Sequence, residues 1–433
     1  MIQLKKYPKY KDSGIEWIGE IPEHWEIKRL KFTTYFDNST VDRHIHDDEI
    51  KVTISHYPQV YNNEIINSKT IMENGTCTKK ELEKFRLKKN DVLITKDSET
   101  PDDIGVPAYV NEDLDNSVSG YHIAHLTSNQ YVLFGEYLFR YLQTKFAKSY
   151  FETEANGITR YGLGKDSISN IFLTLPKIEE QKQIAEFLDK QTKRIDSEIE
   201  KNQKLIELLK EKRQSTINQA VTKGLDPSVP MKDSGIEWIG EIPEHWNSKR
   251  LKFSILLRSD KSNYSNSLQY VGLENITSKT GKLIDVNDDM SDSDAKLFEE
   301  KDILFGKLRP YLAKVWHAEF AGRCSSEFLV FKGIDYESKF LSWLLLSDGV
   351  INNIDASTYG AKMPRAEWGF IANILLPILS INEQQQIAEF LEKQTTKIDS
   401  LITKTESQIE KLKEFRQSLI SSAVTGKIDV SSA

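Results

Sequence analysis

The chain has 433 residues and a mass of 49.8 kDa, enough for two to four domains with sizeable cores. Hydrophobic residues make up 39% and charged residues 28%, and 58 Lys and Arg against 65 Asp and Glu leave a net charge of -7. That balance excludes a protein that coats nucleic acid through bulk positive charge, but not one with a localised reading face. Cys77 and Cys324 lie 247 residues apart, so no disulfide framework or Cys-based zinc site can be written. The opening MIQLKKYPKYKDSG lacks the apolar core of a signal peptide, and no apolar run nears the length of a membrane span. A cytoplasmic protein with no membrane partner is expected.

In chain order, the first informative stretch is 11–32, KDSGIEWIGEIPEHWEIKRLKF. It returns at 232–253 as KDSGIEWIGEIPEHWNSKRLKF, 20 of 22 positions identical at an offset of 221. A second repeat has a different offset: 183–192, QIAEFLDKQT, returns at 386–395 as QIAEFLEKQT, offset 203. Its pattern continues through Arg213-Gln214-Ser215 and Arg416-Gln417-Ser418, then Ala220-Val221-Thr222 and Ala423-Val424-Thr425. A period of about half the chain means tandem duplication, because solenoid arrays repeat every 20–50 residues. Between the shared pieces, 33–174 and 254–375 align only at points such as Asp91-Val92-Leu93 to Lys96 with Asp302-Ile303-Leu304 to Lys307. Each block reaches its helix through Tyr-Gly, at 161–162 and 359–360, and then Leu-Pro. One duplicated frame carries two different payloads.

The payload blocks read as mixed α/β. Lys51-Val52-Thr53-Ile54, Asp91-Val92-Leu93-Ile94 and Phe328-Leu329-Val330-Phe331 are predicted strands, and 135–151 and 337–346 are predicted helices. The stretch from Glu179 to about Val221 has no Gly or Pro and carries ten basic against nine acidic residues through Lys223. Its apolar residues Ile184, Leu188, Ile195, Ile199, Ile206 and Leu209 keep returning to one helix face, and Ile387, Leu391, Ile398, Ile402, Ile409 and Leu412 repeat the stripe. Leu-Pro before each helix predicts the end of the preceding strand, and Gly224 and Gly426 are predicted C-terminal stops. Roughly 40 residues make a rod of about 60 Å. A single stripe on so long a rod needs another helix, so the two copies are expected antiparallel, with Ile195, Ile199, Ile398 and Ile402 buried between them. Asn202 and Thr405 fall at matching stripe positions, where a polar residue fixes register. The blander alternative is a coiled coil that merely joins domains.

No catalytic set emerges. There is no phosphate loop; 157–165 has the wrong spacing. No Gly-rich turn is followed by an acid about 20 residues on, so no dinucleotide or S-adenosylmethionine fold is supported, and no cofactor is expected. No G-x-S-x-G elbow is present. His44-x-His46 and His122-x-x-His125 lack a third ligand at a telling spacing and read as surface or loop residues. Asp288 and Asp289 ahead of Glu299-x-Lys301 resemble a metal-nuclease pattern, but a charge-rich chain produces such triplets readily. What recurs in both blocks is cations at strand ends and tight turns, with Gly or aromatic neighbours. In the first block these are Lys96, Arg160 with Tyr161, and Lys165. In the second they are Lys307, Arg309, Lys314, Lys362 and Arg365, with Tyr359. Such cations read guanine edges and phosphates in nucleic-acid interfaces; most loop cations elsewhere are simply solvated. The first block holds 15 basic and 21 acidic residues, net -6, and the second 14 and 17, net -3. Non-specific affinity needs several phosphates neutralised, so this chain alone is expected to bind DNA poorly.

Two variable blocks alternating with duplicated helices, each block preceded by SGIEWIGEIPEHW, resemble the specificity subunit of type I restriction-modification enzymes. Matching phrases are Asp302-Ile303-Leu304-Phe305-Gly306-Lys307-Leu308-Arg309-Pro310, Tyr359-Gly360 through Met363-Pro364-Arg365, Glu383-Gln384 with Gln386-Ile387, and Ala423-Val424-Thr425-Gly426-Lys427-Ile428-Asp429. The first block has Leu163-Gly164-Lys165 where the second has Met-Pro-Arg. The resemblance implies an α+β fold: two mixed α/β target-recognition domains separated by two long antiparallel helices, internally duplicated with pseudo-twofold symmetry. The implied parts are a shared segment 1–32, a recognition domain 33–176, a spacer helix 177–224, a linker with the second shared segment 225–253, a recognition domain 254–377, and a second helix with tail 378–433. It further implies a non-catalytic subunit that reads a split site in double-stranded DNA. Two modification (methyltransferase) subunits would dock on it, and restriction (motor-nuclease) subunits would join for cleavage. The competing reading is a scaffold whose helices join two protein-binding domains without DNA contact; a nuclease using Asp288 and Glu299 is the third.

Overall fold

The computed structural model describes residues 5–260, 268–284, 295–360 and 362–431. Asp288 and Asp289 lie outside the described residues. The chain forms two compact units, Met1–Lys201 with Gln408–Ala433, and Asn202–Ser407.

The first unit holds two main sheets. The larger runs in the order Thr34–Asn38, Ile123–Ser128, Asp91–Thr95, Pro107–Val110, Ile65–Ile66; the smaller runs Glu73–Cys77, Ile50–Ser55, Leu114–Ser119, Arg86–Leu87. Pairing is mostly antiparallel, with parallel exceptions at Tyr109 beside Ile65 and Ser117 beside Thr53. The predicted helix over 135–151 is two helices, Gly135–Leu142 and Lys145–Glu154. Thr144 breaks it: its hydroxyl donates to the Tyr141 carbonyl at 2.7 Å and accepts from the Ala147 N–H, capping the second helix. Tyr137, Phe139, Tyr141 and Phe151 from this pair are buried in one core with Ile184, Leu188 and Ile195.

In the second unit the four-stranded sheet runs Ile255–Arg258, Phe328–Gly333, Ile303–Gly306, Val315–His317. The helix Ser338–Leu345 matches the expectation, with Glu337 as its N-cap. Pro377, read as a strand stop, instead lies inside the strand Leu375–Ile378, opposite Ser248 in a two-stranded ladder. An edge with one partner tolerates the missing N–H.

The long helices are Ile178–Lys223 and Ile381–Val424. Gly224 at φ 73° and Gly426 at φ 70° take the left-handed conformation just past their ends. Within each unit the helices run antiparallel. In the first, Val424 lies against Thr174, just ahead of the first helix, while Arg416 Nε is 2.9 Å from Asp196 Oδ1 further along it. In the second, Arg213 Nε is 3.0 Å from Asp399 Oδ1, and Ile217 and Val221 share a core with Ile387 and Leu391. Of the four stripe residues, Ile195 and Ile398 are buried, whereas Ile199 and Ile402 are only half-buried. Thr405 donates back to the Leu401 carbonyl at 2.8 Å. Asn202 Nδ2 is buried with no hydrogen-bond partner among the described residues.

The near-identity of the shared segments has a packing reason. Trp25 is fully buried and donates from Nε1 to Glu180 at 3.1 Å, while His24 Nε2 lies 3.0 Å from the same carboxylate. A Cβ on Gly426 would come within 2.3 Å of Pro22 and 3.2 Å of Trp25. In the second unit Trp246 and His245 hold Glu383 at 3.0 Å each, and Gly224 faces Trp246. Each Glu-His-Trp therefore closes a junction where one long helix starts and the other ends. Both junctions demand the same side chains.

Candidate nucleic-acid interface

In the first unit the strand Asp91–Thr95 ends at Lys96, and the chain continues into Asp97–Ser98, which pairs with Tyr161–Gly162. Tyr161–Gly162 pairs in turn with Asn156–Gly157, so residues 158–160 form a hairpin tip. Only glycine fits at 157: its φ is 151°, and a Cβ would fall 1.9 Å from the Arg160 carbonyl oxygen. This ribbon brings Lys96, Arg160 and Tyr161 together. Asp97 stands between them, its Oδ2 accepting from Lys96 Nζ at 2.9 Å and lying 2.7 Å from His122 Nδ1. Burial pushes the Asp97 carboxyl upward, but the hydrogen bonds from His122 and Lys96 outweigh it and hold the group below the usual carboxylate range. Lys165 does not join the cluster; its ammonium lies over the Phe36 ring and 3.8 Å from Asp37.

The second unit builds the same place with other residues. Ile303–Gly306 ends at Lys307, and Leu308 bridges to Arg365 in a short ribbon that also joins Tyr359 to Arg365. The Arg309 N–H donates to the Pro364 carbonyl at 2.7 Å, and Arg309 adopts φ 50°, ψ 62°. A left-handed Arg carries backbone strain that its surroundings must hold. Arg365 forks onto Glu327, Nη2 to Oε1 at 2.9 Å and Nε to Oε2 at 3.3 Å. Tyr359, Lys362 and Met363 are exposed. Lys314 is committed elsewhere, donating to the Leu273 carbonyl at 2.6 Å, so it braces a turn.

Sequence reasoning set His122 aside as a surface or loop residue and missed Asp97, Glu327 and Ile158, the last 93% exposed at the hairpin tip beside Arg160. It also misplaced His125, which is buried in the strand Ile123–Ser128, 2.9 Å from Asp91 Oδ2 and 3.0 Å from Ser119 Oγ. His44 and His46 are exposed. Among the described residues no group of three or more His, Cys, Asp or Glu could hold a metal ion. Glu299, the remaining described acid of the nuclease pattern, pairs with Arg258. No described helix is long and apolar enough to cross a membrane.

Comparison with known proteins places these features. The type I restriction modification DNA specificity domain matches twice, at residues 46–209 and 235–411. The type I restriction enzyme MjaVIII specificity subunit of Methanocaldococcus jannaschii is 24% identical over 95% of this chain and 94% of its own length. The EcoDI specificity subunit of Escherichia coli is 24% identical over 61% of this chain and 64% of its own length. In fold, the chain matches a chain solved in work on complex assembly and conformational transition of the type I R-M system, with TM-score 0.71 at 14% identity over 93% of this chain and 98% of that one. The HsdS subunit from Thermoanaerobacter tengcongensis matches with TM-score 0.57 at 14% identity, over 94% and 98%. With two specificity domains spanning most of its length, the chain belongs to the type I restriction-modification DNA specificity family.

Proposed function

We propose that this chain is the DNA sequence-recognition subunit of a type I restriction-modification complex. Each recognition domain, 33–176 and 254–377, reads one half of a bipartite target. The long helices set the gap between the halves and offer docking surface to two modification subunits, with restriction subunits joining for cleavage. The methyl-transfer and cleavage chemistry belongs to those partners. One observation supports this most strongly: both units end a sheet strand in a lysine and join the next residues to a ribbon that carries Tyr-Gly and an arginine, yet surround that shared frame with different side chains, His122 and Asp97 in one and Arg309 and Glu327 in the other. A frame kept constant around a varied reading edge is what two different half-sites require. A scaffold has no reason to keep the shared segments nearly identical while the blocks they carry diverge.

In this reading Lys307, Arg309 and Arg365 serve one half-site, and Lys96 and Arg160 the other. The triple substitution Lys307→Ala, Arg309→Ala, Arg365→Ala tests it in the complex assembled with its modification subunits. A base-reading Arg lost to Ala costs about 1–3 kcal/mol and relaxes preference at one position. A phosphate-binding Lys weakens all sequences alike and flattens the salt slope by about one. The expected result is degenerate methylation in one half of the target with the other half intact. Unchanged affinity and target choice would favour the scaffold.

A further inference from the structure

The geometry points to His122 as a positioning residue that presents Arg160 to a base pair of the first half-site, an inference that rests on the DNA-reading function proposed above. Arg160 Nη2 lies 3.4 Å from His122 Nδ1 and 3.3 Å from Nε2. Near-equal approach to both ring nitrogens places Nη2 over the ring face, since in the ring plane it would collide with the carbon between them. The Nδ1 edge is already committed to Asp97 at 2.7 Å. A carboxylate there sets the tautomer with the proton on Nδ1 and fixes the ring's rotation. Lys96 Nζ, on the same Asp97 oxygen at 2.9 Å, braces the carboxylate. The His122 side chain is 14% exposed, so it supports from beneath, while Arg160 is exposed.

The contact matters for what it leaves unspent. Arg365 in the second unit is held by a carboxylate fork, which spends its Nε and one Nη2 hydrogen on Glu327 and leaves only the Nη1–Nη2 edge for a base. Arg160 has no carboxylate partner among the described residues and points one N–H of Nη2 at an aromatic face. With one Nη2 hydrogen directed at the ring, the remaining four N–H donors stay available for a bidentate contact. The backbone is fixed independently, through the pairing of Gly157 with Tyr161. Orientation therefore comes from Asp97 through His122, and contact from Arg160.

The experiment compares Arg160→Ala, His122→Leu, the double variant and His122→Phe, each assembled with its modification subunits. Binding is read by competition with target duplexes carrying one base-pair substitution at a time. Arg160→Ala is expected to lose about tenfold discrimination at one base pair. His122→Leu should lose discrimination at that same pair, and the double variant should lose no more than Arg160→Ala alone. His122→Phe, which keeps a flat face, should retain most of it. Should the Leu variant fail to assemble, His122→Asn removes the ring while keeping a bond to Asp97 and gives the same comparison. Uniform weakening at every position, or additive losses in the double variant, would overturn the positioning role and leave the reading of Arg160 standing. Full discrimination in Arg160→Ala would overturn both.

Discussion

Arg213→Ala should destabilise the second unit by about 3 kcal/mol, the low end of what removing one partner from a buried charge pair costs. Arg213 is 6% exposed and Asp399 16%. Besides the Asp399 contact, Arg213 donates from Nη1 to the Lys279 carbonyl at 3.0 Å and from Nη2 to the Thr280 carbonyl at 3.3 Å. Its guanidinium also lies 5.8 Å from the Trp343 ring centroid. One side chain thus ties the two long helices and a recognition-domain loop together. The loss stays at the low end because Lys282 Nζ, 2.7 Å from Asp399 Oδ2, still compensates the carboxylate. The repeat supplies an internal control. Arg416 pairs with Asp196 and Glu64, but it is 17% exposed and those carboxylates are 49% and 46% exposed. Solvent screens such pairs, so Arg416→Ala should cost about 1 kcal/mol or less. Hydrogen exchange checks both: Arg213→Ala should lower protection across 273–284 and 338–346, and Arg416→Ala should change little. Equal losses would mean that burial does not decide the strength of these ties.

The equivalence of Arg213 and Arg416 was visible in the sequence as a repeated Arg-Gln-Ser, but what either side chain touches was not. The same division holds throughout. The long helices and their glycine stops could be read because a continuous apolar stripe without Gly or Pro has few alternatives, and left-handed C-caps favour glycine. The break at Gln143–Thr144 could not, because Thr144 caps a helix only once tertiary packing has turned the chain there. Lys96 was readable as a strand-end cation. His122 was not, because it reaches Asp97 through the pairing of Ile123 with Thr95, a register that no local spacing encodes. His125, two residues further along that strand from Ile123, looked polar and exposed until Asp91 and Ser119 were seen to satisfy both of its ring nitrogens.

Lengthening both long helices by four residues should move the gap between half-sites by up to about two base pairs and leave both half-sites unchanged. The boundary between units falls at Lys201 and Asn202 on one helix and at Ser407 and Gln408 on the other. Matched insertions at those points leave the contacts within each unit in register, including Arg213 with Asp399 and Arg416 with Asp196. Four residues add about 6 Å and turn the helix by about 400°, so the apolar stripe slips by only about 40°. Along duplex DNA, about 6 Å is close to two base pairs at 3.4 Å each. The full shift need not be reached, since DNA bends and twists at modest cost and docked subunits resist. Matched two-residue insertions should behave differently: rotating the stripe by about 200° turns Ile195 and Ile398 away from their neighbours and damages packing before spacing can change. Asn202 sits at the insertion point with an amide nitrogen that has no partner among the described residues, so little hydrogen bonding is lost there. The measurement is the methylated motif in genomic DNA from cells carrying each variant with its partners. An active four-residue variant with an unchanged gap would remove the helices from the choice of spacing, while degenerate half-sites at a shifted gap would show that spacing and base reading are coupled through the helix pair.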